Sequence, residues 1–209
     1  MELFQKQITL VKGMFLKKNN SKYLLIILFF FLKTNIVSSE DIGKKIQNIT
    51  YDYNNLSVSF IQINDLEESN GIIFVGKDRV KIEYFQPSKI TIVISEKKSM
   101  YYNKDLSEVQ YFDTKKSEVN VFFKILKKKN FLSDAVLKEA NGNIVILEKK
   151  IEGDNNYMLN LIFEKNPYKL RKINLKNENI NYSISLFNYN FNENLEKNIF
   201  SLVNPLIIN

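Results

Sequence analysis

The chain has 209 residues, of which 44% are hydrophobic, enough for one ordinary globular core. It contains no cysteine and no histidine, which excludes disulfides, thiolate metal sites and the commonest general base and metal ligand. The formal net charge is +7, but residues 40–209 carry 24 basic and 22 acidic side chains. That nearly neutral remainder gives no indication of nucleic-acid binding.

Residues 1–39 predict a secretory signal. Lysines precede an unbroken run of ten apolar residues, Tyr23–Leu32, and small residues follow up to Ser39. A positive region, a short apolar run and small residues, in this order, are typical of a cleaved signal peptide, whereas a spanning helix needs about 20 apolar residues. We expect residues 40–209 to be exported as a single domain, with Met14 as an alternative start and an uncleaved anchor as the alternative fate.

The next elements are a short helix and a run of strands. An amphipathic helix is predicted by apolar residues at helical spacing, namely Ile42, Ile46, Ile49 and Tyr53. The period then changes to two, which predicts strands with one apolar face. In chain order these are a strand with Leu56, Val58 and Phe60, a strand between two turns in ESNGIIFVGKD, a strand with Val80, Ile82 and Tyr84 that ends at Pro87, a hairpin in KITIVISEKKSMYYNKD and a strand in EVQYFD.

Residues 117–140 predict two short helices, with Ser117 and Ser133 as their N-caps. Their apolar faces are Val121, Phe122, Ile125 and Leu126 in the first and Leu132, Val136 and Leu137 in the second. Strands resume in NIVILEK, YMLNLIF, LRKINLK and NYSISLF, and a short, partly apolar segment ends the chain. Periodicity therefore predicts a mainly β fold, either a sandwich or a curved antiparallel sheet closing toward a barrel.

The motifs that carry chemistry are few. SEKK, at Ser95–Lys98, matches the S-x-x-K pattern of serine acyl-transfer enzymes, but that pattern needs the serine at the start of a helix. Here it lies in a predicted hairpin turn. No carboxylates have calcium-loop spacing and there is no glycine-rich phosphate loop. We therefore predict no enzymatic activity, no metal and no cofactor.

A run of lysines, Lys124 and Lys127–Lys129, lies at the end of the first of these two helices. Such a cluster suits nucleic acid, anionic lipid or an acidic partner. It is also typical of a solvated helix end, where cations face the negative end of the helix dipole. The solvated helix end is the favoured interpretation, with partner docking as its main alternative.

Several segments form a series when taken in chain order. The series begins with F-x-Q at Phe60–Gln62, a strand led by Gly71 and a strand ending at Pro87, continues through IVISEK, MYYNKD and VQYF, and closes with F-x-x-x-x-P at Phe200–Pro205. It resembles the family of the outer-membrane lipoprotein carrier protein LolA over nearly all of residues 40–205.

This resemblance implies an incomplete antiparallel β-barrel covered by a helical lid, with an apolar cavity between them. The implied activity is that of a periplasmic chaperone, which carries acylated lipoproteins from an inner-membrane transporter to an outer-membrane receptor. The chain would act as a monomer and would bind no nucleic acid.

The implied cavity residues lie on several strands and on the lid. The family's cavity strand corresponds to Val80, Ile82 and Tyr84, and strand parity adds Phe60, Ile92, Leu159 and Leu161. Phe122 and Ile125 are the expected contacts on the covering helix. The family often tethers its lid with an arginine that precedes a proline, and the nearest residue here is Lys77, which lacks the planar fork of arginine.

Two other classes of protein remain as alternatives. The outer-membrane receptor of the same pathway has a similar barrel but is itself a lipoprotein, and a chain without cysteine cannot be one. An unrelated periplasmic β-sandwich that binds a protein partner through its surface would have a filled core and would bind no lipid.

Overall fold

Alternating apolar and polar side chains place most of the chain in β-strands. The computed structural model describes residues 42, 44–46, 48, 53–64, 67–139, 141–153, 156–178 and 181–207. The first strands are β1 (Leu56–Asn64), β2 (Glu67–Val75), β3 (Val80–Gln86), β4 (Ile90–Ile94), β5 (Lys98–Asn103) and β6 (Glu108–Asp113). A 3₁₀ turn (Thr114–Lys116) and helix α1 (Val119–Lys127) follow, and then β7 (Val136–Glu139), β8 (Ile144–Ile151), β9 (Tyr157–Glu164), β10 (Lys169–Lys176) and β11 (Asn181–Asn190). Two further 3₁₀ turns are Lys197–Phe200 and Pro205–Ile207.

The described strands form one antiparallel sheet in the order β6-β5-β4-β3-β2-β1-β11-β10-β9-β8-β7. The sheet is curved and its two edge strands, β6 and β7, do not pair with each other. Residues 114–135, which include α1, connect these edges. The prediction of a curved sheet is confirmed, and the alternative of a two-sheet sandwich is wrong for the part of the chain that the structure describes.

The inner face of the sheet carries the main apolar cluster. In β9 the pattern is regular, because Leu159, Leu161 and Phe163 are buried while the residues between them are half-buried. In β3 the inner residues Val80 and Ile82 are buried. The period of two read from the sequence therefore assigns faces correctly in both parts of the sheet.

Close backbone packing at Gly71 shapes the middle of the sheet. A β-carbon there would lie 1.9 Å from the carbonyl oxygen of Glu83 and 2.8 Å from Cε1 of Phe60. The β2–β3 register shifts between Asn70 and Gly71. The Phe60 ring lies over this glycine and meets Tyr84 edge-on, with ring centroids 5.1 Å apart. Glycine is required here because any side chain would displace one of these groups.

Helix α1 forms where the first apolar helical face was predicted, with Val121, Ile125 and Leu126 buried. Its N-terminus differs from the prediction. Glu118 occupies the cap position without a side-chain hydrogen bond, and the hydroxyl of Ser117 donates instead to the Thr114 carbonyl at 3.0 Å. The Ser117 hydroxyl therefore bonds to the 3₁₀ turn before the helix and does not cap the N-terminus of α1.

The prediction of a second helix here is wrong. Leu132 is buried in a turn, and Val136 begins the edge strand β7, which pairs with β8. Apolar residues spaced four and five apart imitate a helical face, but pairing with an available strand decides the conformation of this short segment. Ser133 is not an N-cap, since its hydroxyl donates to the Asn130 carbonyl at 2.8 Å.

Two other boundaries shift. Strand β2 begins at Glu67 and includes the segment predicted as a turn, because Glu67 pairs with Asn64 at the end of β1. Residues 42, 44–46 and 48 are helical as predicted, whereas Tyr53 is buried beyond the helix. Ile49 and the predicted signal of residues 1–39 lie outside the described residues.

The segment after β11 returns to the β2–β3 turn and to β6. Arg79 donates from Nη1 to the Phe200 carbonyl at 2.7 Å, and the Phe200 ring packs so closely that a β-carbon on Gly76 would lie 2.7 Å from it. The hydroxyl of Tyr111 donates to the Leu202 carbonyl at 2.9 Å. Among the helices of the described residues, none has the length and apolar character needed to cross a bilayer.

Candidate functional site

An apolar cavity of about 190 Å³ lies between α1 and the inner face of the sheet. Its walls are Phe60, Gln62, Ile73, Ile82 and Tyr84 from β1–β3, Ile173, Leu175, Tyr182 and Ile184 from β10 and β11, and Glu118, Val119, Val121, Phe122 and Ile125 from α1 and the residue before it. The strand residues of the wall lie on one face of the sheet because alternate side chains of a strand point to the same side, and the α1 residues lie on one face of the helix because of its 3.6-residue period. The apolar face of the sheet and the apolar face of α1 therefore face each other across the cavity.

One polar pair lies in this apolar wall. The hydroxyl of Tyr84 donates to Oε1 of Gln62 at 3.0 Å. Burial raises the pKa of Tyr84 to about 12, with a smaller contribution from Tyr182. The Tyr84 hydroxyl therefore remains protonated near neutral pH and acts as a hydrogen-bond donor, which satisfies the one amide side chain of the wall.

The described residues that line the cavity include few charged groups. Glu118 is the one carboxylate among the described lining residues, and it is exposed at the start of α1. Within the same described residues, no three acidic side chains are grouped so that they could hold a metal ion. The chemistry that this geometry offers is burial of apolar groups, with one hydrogen-bonded pair at the wall.

The structure brings five of the predicted cavity and lid residues together. These are Phe60, Ile82, Tyr84, Phe122 and Ile125. The other four lie in the apolar cluster without lining the cavity: Val80, Leu159 and Leu161 are buried, and Ile92 is half-buried. Parity identifies the inner face of a strand, but it does not distinguish a wall of open space from closely packed core.

Sequence reasoning did not assign the residues that β10 and β11 contribute. Tyr182 and Ile184 alternate with serines in NYSISLF, which predicts a strand, but nothing in their spacing places them opposite β1–β3. Their position follows from the pairing of β1 with β11, which sets Ile184 across from Gln62. This pairing joins the two ends of the domain and has no local sequence signal.

Lysine side chains hold α1 at its C-terminal end. Nζ of Lys127 donates to the Tyr53 carbonyl at 2.6 Å and to Oδ1 of Asn54 at 2.8 Å. Burial lowers the pKa of Lys127 to about 8, while the charge of Asp78 acts in the opposite direction. Lys77 is exposed in the β2–β3 turn, and no hydrogen bond or ion pair joins it to α1 among the described residues. The observed tether therefore comes from the helix.

The SEKK motif forms the turn between β4 and β5, as predicted. The Ser95 hydroxyl donates to the Lys98 carbonyl at 2.7 Å, so the serine stabilises the turn. The Lys98 ammonium lies 4.0 Å from the centre of the Tyr111 ring. This is a cation–π contact, and the serine and the ammonium are engaged separately.

A family model described as "Outer membrane lipoprotein carrier protein LolA" matches residues 52–203. No curated protein matches the chain. Among solved structures, MucB is similar with a TM-score of 0.50 and 11% identity, over 78% of this chain and 62% of MucB. An uncharacterized conserved protein from Thermus thermophilus has a TM-score of 0.49 and 10% sequence identity, and the match covers 73% of this chain and 87% of that protein. LprF from Mycobacterium bovis has a TM-score of 0.41 and 10% identity, and the match covers 72% of this chain and 92% of LprF. At these identities the likeness to MucB concerns the fold alone.

Proposed function

This chain belongs to the outer membrane lipoprotein carrier protein (LolA) family, and on that premise we propose that it is a periplasmic carrier that binds the acyl chains of lipoproteins in the cavity under α1. Members of this family are carriers and not enzymes. The proposed partners are acylated lipoproteins, an inner-membrane transporter that releases them and an outer-membrane receptor that accepts them.

The observation that supports the proposal is the apolar cavity between α1 and the inner face of the sheet. Burial of a methylene group contributes about 0.8 kcal/mol, so a long acyl chain provides a large driving force from apolar contact alone. The apolar side chains that line the cavity, among them Phe60 and Ile184, would supply that contact, and no reactive side chain is needed for it. Binding would need no covalent step.

The size of the cavity adds a conformational requirement. At about 190 Å³ it is smaller than the roughly 300–1,000 Å³ of common ligand pockets. Acyl chains would therefore bind only after α1 moves away from the inner face. The free energy needed to move α1 lowers the net affinity for the acyl chains. A lower affinity suits a carrier, because the carrier must later release its cargo.

Opening would extend the set of contacts. Val80 and Ile92, on strands next to the cavity walls, and Leu159 and Leu161, deeper in the same apolar cluster, are the proposed additional contacts in the open form. Lys77 remains a proposed latch for the lid, while Lys127 makes the hydrogen bonds observed at the end of α1 in this structure.

The test is co-expression of the full chain with a triacylated lipoprotein and with the same lipoprotein lacking its acylated cysteine. We expect native mass spectrometry to detect a one-to-one soluble complex only with the acylated form. Equal binding to both would indicate a protein-surface interaction, and binding to neither would indicate a core that does not open.

A pair of matched variants assigns the binding to the cavity. Val121→Phe adds a ring at the cavity wall, and we expect it to reduce the fraction of complex strongly. Val136→Phe makes the same change at a residue that is 58% exposed on β7, and it should leave the complex unchanged. Equal loss in both variants would argue against the cavity as the binding site.

A further inference from the structure

A second concave surface, which we name the basic trough, lies at the C-terminal end of α1. It consists of two adjoining clefts of about 600 and 370 Å³ that share Glu96, Phe123 and Lys128. Its cations are Lys77, Arg79 and Lys97 from the β2–β3 and β4–β5 turns, Lys115 from the 3₁₀ turn after β6, and Lys124, Lys127 and Lys128 from the end of α1. Its carboxylates are Asp78 and Glu96.

The excess of positive charge is larger than the helix end requires. A helix C-terminus carries about half a negative unit charge, whereas the trough has seven cations against two carboxylates. Within the described residues, its one ion pair joins Lys128 to Glu96. Hydrogen bonding and charge from Lys128 hold the pKa of Glu96 below its usual range, with smaller effects from Lys115 and Lys97. Glu96 is thus surrounded by more cations than it can neutralise.

The shape and lining of the trough indicate which anion fits. A bilayer surface favours apolar side chains that can insert beside the cations. Among the residues that the structure describes, none of the exposed large hydrophobic side chains lines the trough. Its apolar floor is Phe123, which is 4% exposed. The interpretation of the lysine run as a lipid-binding surface is therefore disfavoured, because membrane binding also uses exposed apolar side chains beside the cations.

A single phosphate group is also a poor match. Compact phosphate sites use backbone amides, a helix N-terminus or a bidentate arginine, whereas here the helix presents its C-terminal end. Arg79 already donates to the Phe200 carbonyl. The remaining cations are lysines spread along two clefts, and this spacing suits several separate carboxylates on an extended chain.

We propose that the basic trough binds an extended acidic segment of a protein partner, with Asp or Glu carboxylates of that segment pairing with exposed lysines such as Lys97 and Lys115. The site is separate from the apolar cavity. Helix α1 contributes to both, because Val121 and Ile125 face the cavity while Phe123 and Lys127 face the trough.

The test uses the full chain and a fluorescent synthetic peptide of alternating Asp and Ser, with an Asn-for-Asp peptide as control. We expect fluorescence anisotropy at low ionic strength to detect binding of the acidic peptide only, and we expect added salt to weaken it, since exposed charges are screened over about 10 Å at 0.1 M. Equal binding of both peptides, or binding insensitive to salt, would contradict the proposal.

Charge reversal locates the binding. Lys97→Glu combined with Lys115→Glu should weaken binding of the acidic peptide about tenfold, since each reversal replaces an exposed attraction with a repulsion. Lys150→Glu combined with Lys176→Glu changes the net charge equally at exposed residues on β8 and β10, and it should have a much smaller effect. The same loss in both double variants would show that overall charge alone attracts the peptide.

Two further measurements separate this site from other interpretations. Sedimentation with anionic phospholipid vesicles should show no binding of the protein. If the protein does bind the vesicles, and the Lys97→Glu, Lys115→Glu double variant does not, the partner of the trough would be a membrane surface and not an acidic peptide. The same double variant should still form the complex with acylated lipoprotein. Failure of the trough proposal is therefore distinguishable from failure of the proposed cavity function.

Discussion

Two parts of the inner face have the same sequence pattern and different packing. The filled strands, β8 and β9, bury Val145, Leu147 and Leu161 to 1% exposure or less. The cavity strands, β1–β3 with β10 and β11, keep Tyr182 and Ile184 half-buried around open space. Both parts alternate with a period of two. The alternation therefore fixes which side chains face inward, while the element opposite them determines whether they form core or the wall of a cavity.

Truncation should produce the largest difference between the two parts. Leu161→Ala in β9 removes a fully buried side chain from closely packed surroundings and should lower the free energy of unfolding by about 2–5 kcal/mol. Ile184→Ala at the cavity should cost about 1 kcal/mol, because part of that side chain already faces open space. Urea unfolding measures both, and equal losses would mean that the cavity is as well packed as the core.

Enlargement should change stability in opposite directions. Val145→Phe in β8 overpacks a residue with 0% exposure and should destabilise the fold by about 1–3 kcal/mol. Val121→Phe on α1 fills existing space and should stabilise it by about 1 kcal/mol. Thermal unfolding of both variants gives the sign, and destabilisation in both would contradict the presence of usable space under α1.

A single hydroxyl tests the polar pair in the cavity wall. Tyr84→Phe leaves the Gln62 carbonyl without its donor and should cost about 1 kcal/mol. Tyr157→Phe, in the filled strand β9, serves as the matched control and should change stability by about 0.5 kcal/mol or less. Chemical denaturation compares the two, and a smaller loss for Tyr84→Phe than for the control would exclude a structural role for the pair.

The pH dependence of stability tests Lys127, which holds α1 over the cavity. Its pKa is about 8 in the folded protein against an ordinary 10.5. Between these values the unfolded chain binds more protons at this residue than the folded chain does, so its contribution to the free energy of unfolding rises with pH. Below the folded pKa both states are protonated and this contribution is constant.

Measured against Lys127→Met, the wild-type protein should therefore gain relative stability between a pH below 8 and a pH just under 10.5. Urea unfolding at the two pH values measures the difference. A wild-type advantage that shrinks as the pH rises would contradict burial of a charged amine at this residue.

The sequence contains the local information for this fold and little of the long-range information. Alternation identified the inner residues of β3 and β9, and helical spacing identified α1, because burial of one face determines each pattern. The segment from Leu132 to Val136 was mistaken for a helix, since pairing with β8 outweighs its spacing. The tether was sought in Lys77 because chain order aligned it with a family motif, whereas Lys127 reaches Tyr53 only through tertiary packing.

The strand order has a consequence for how the protein folds. Strands β1–β6 form one meander and β7–β11 another, and neighbours within each are close in sequence, whereas β1 and β11 pair across almost the whole domain. Local hairpins close at low entropic cost, and contacts between distant residues are the slow ones. Because the cavity walls come from β1–β3 on one side and β10–β11 on the other, neither meander contains the proposed binding site alone. The site comes into existence only when this last seam closes.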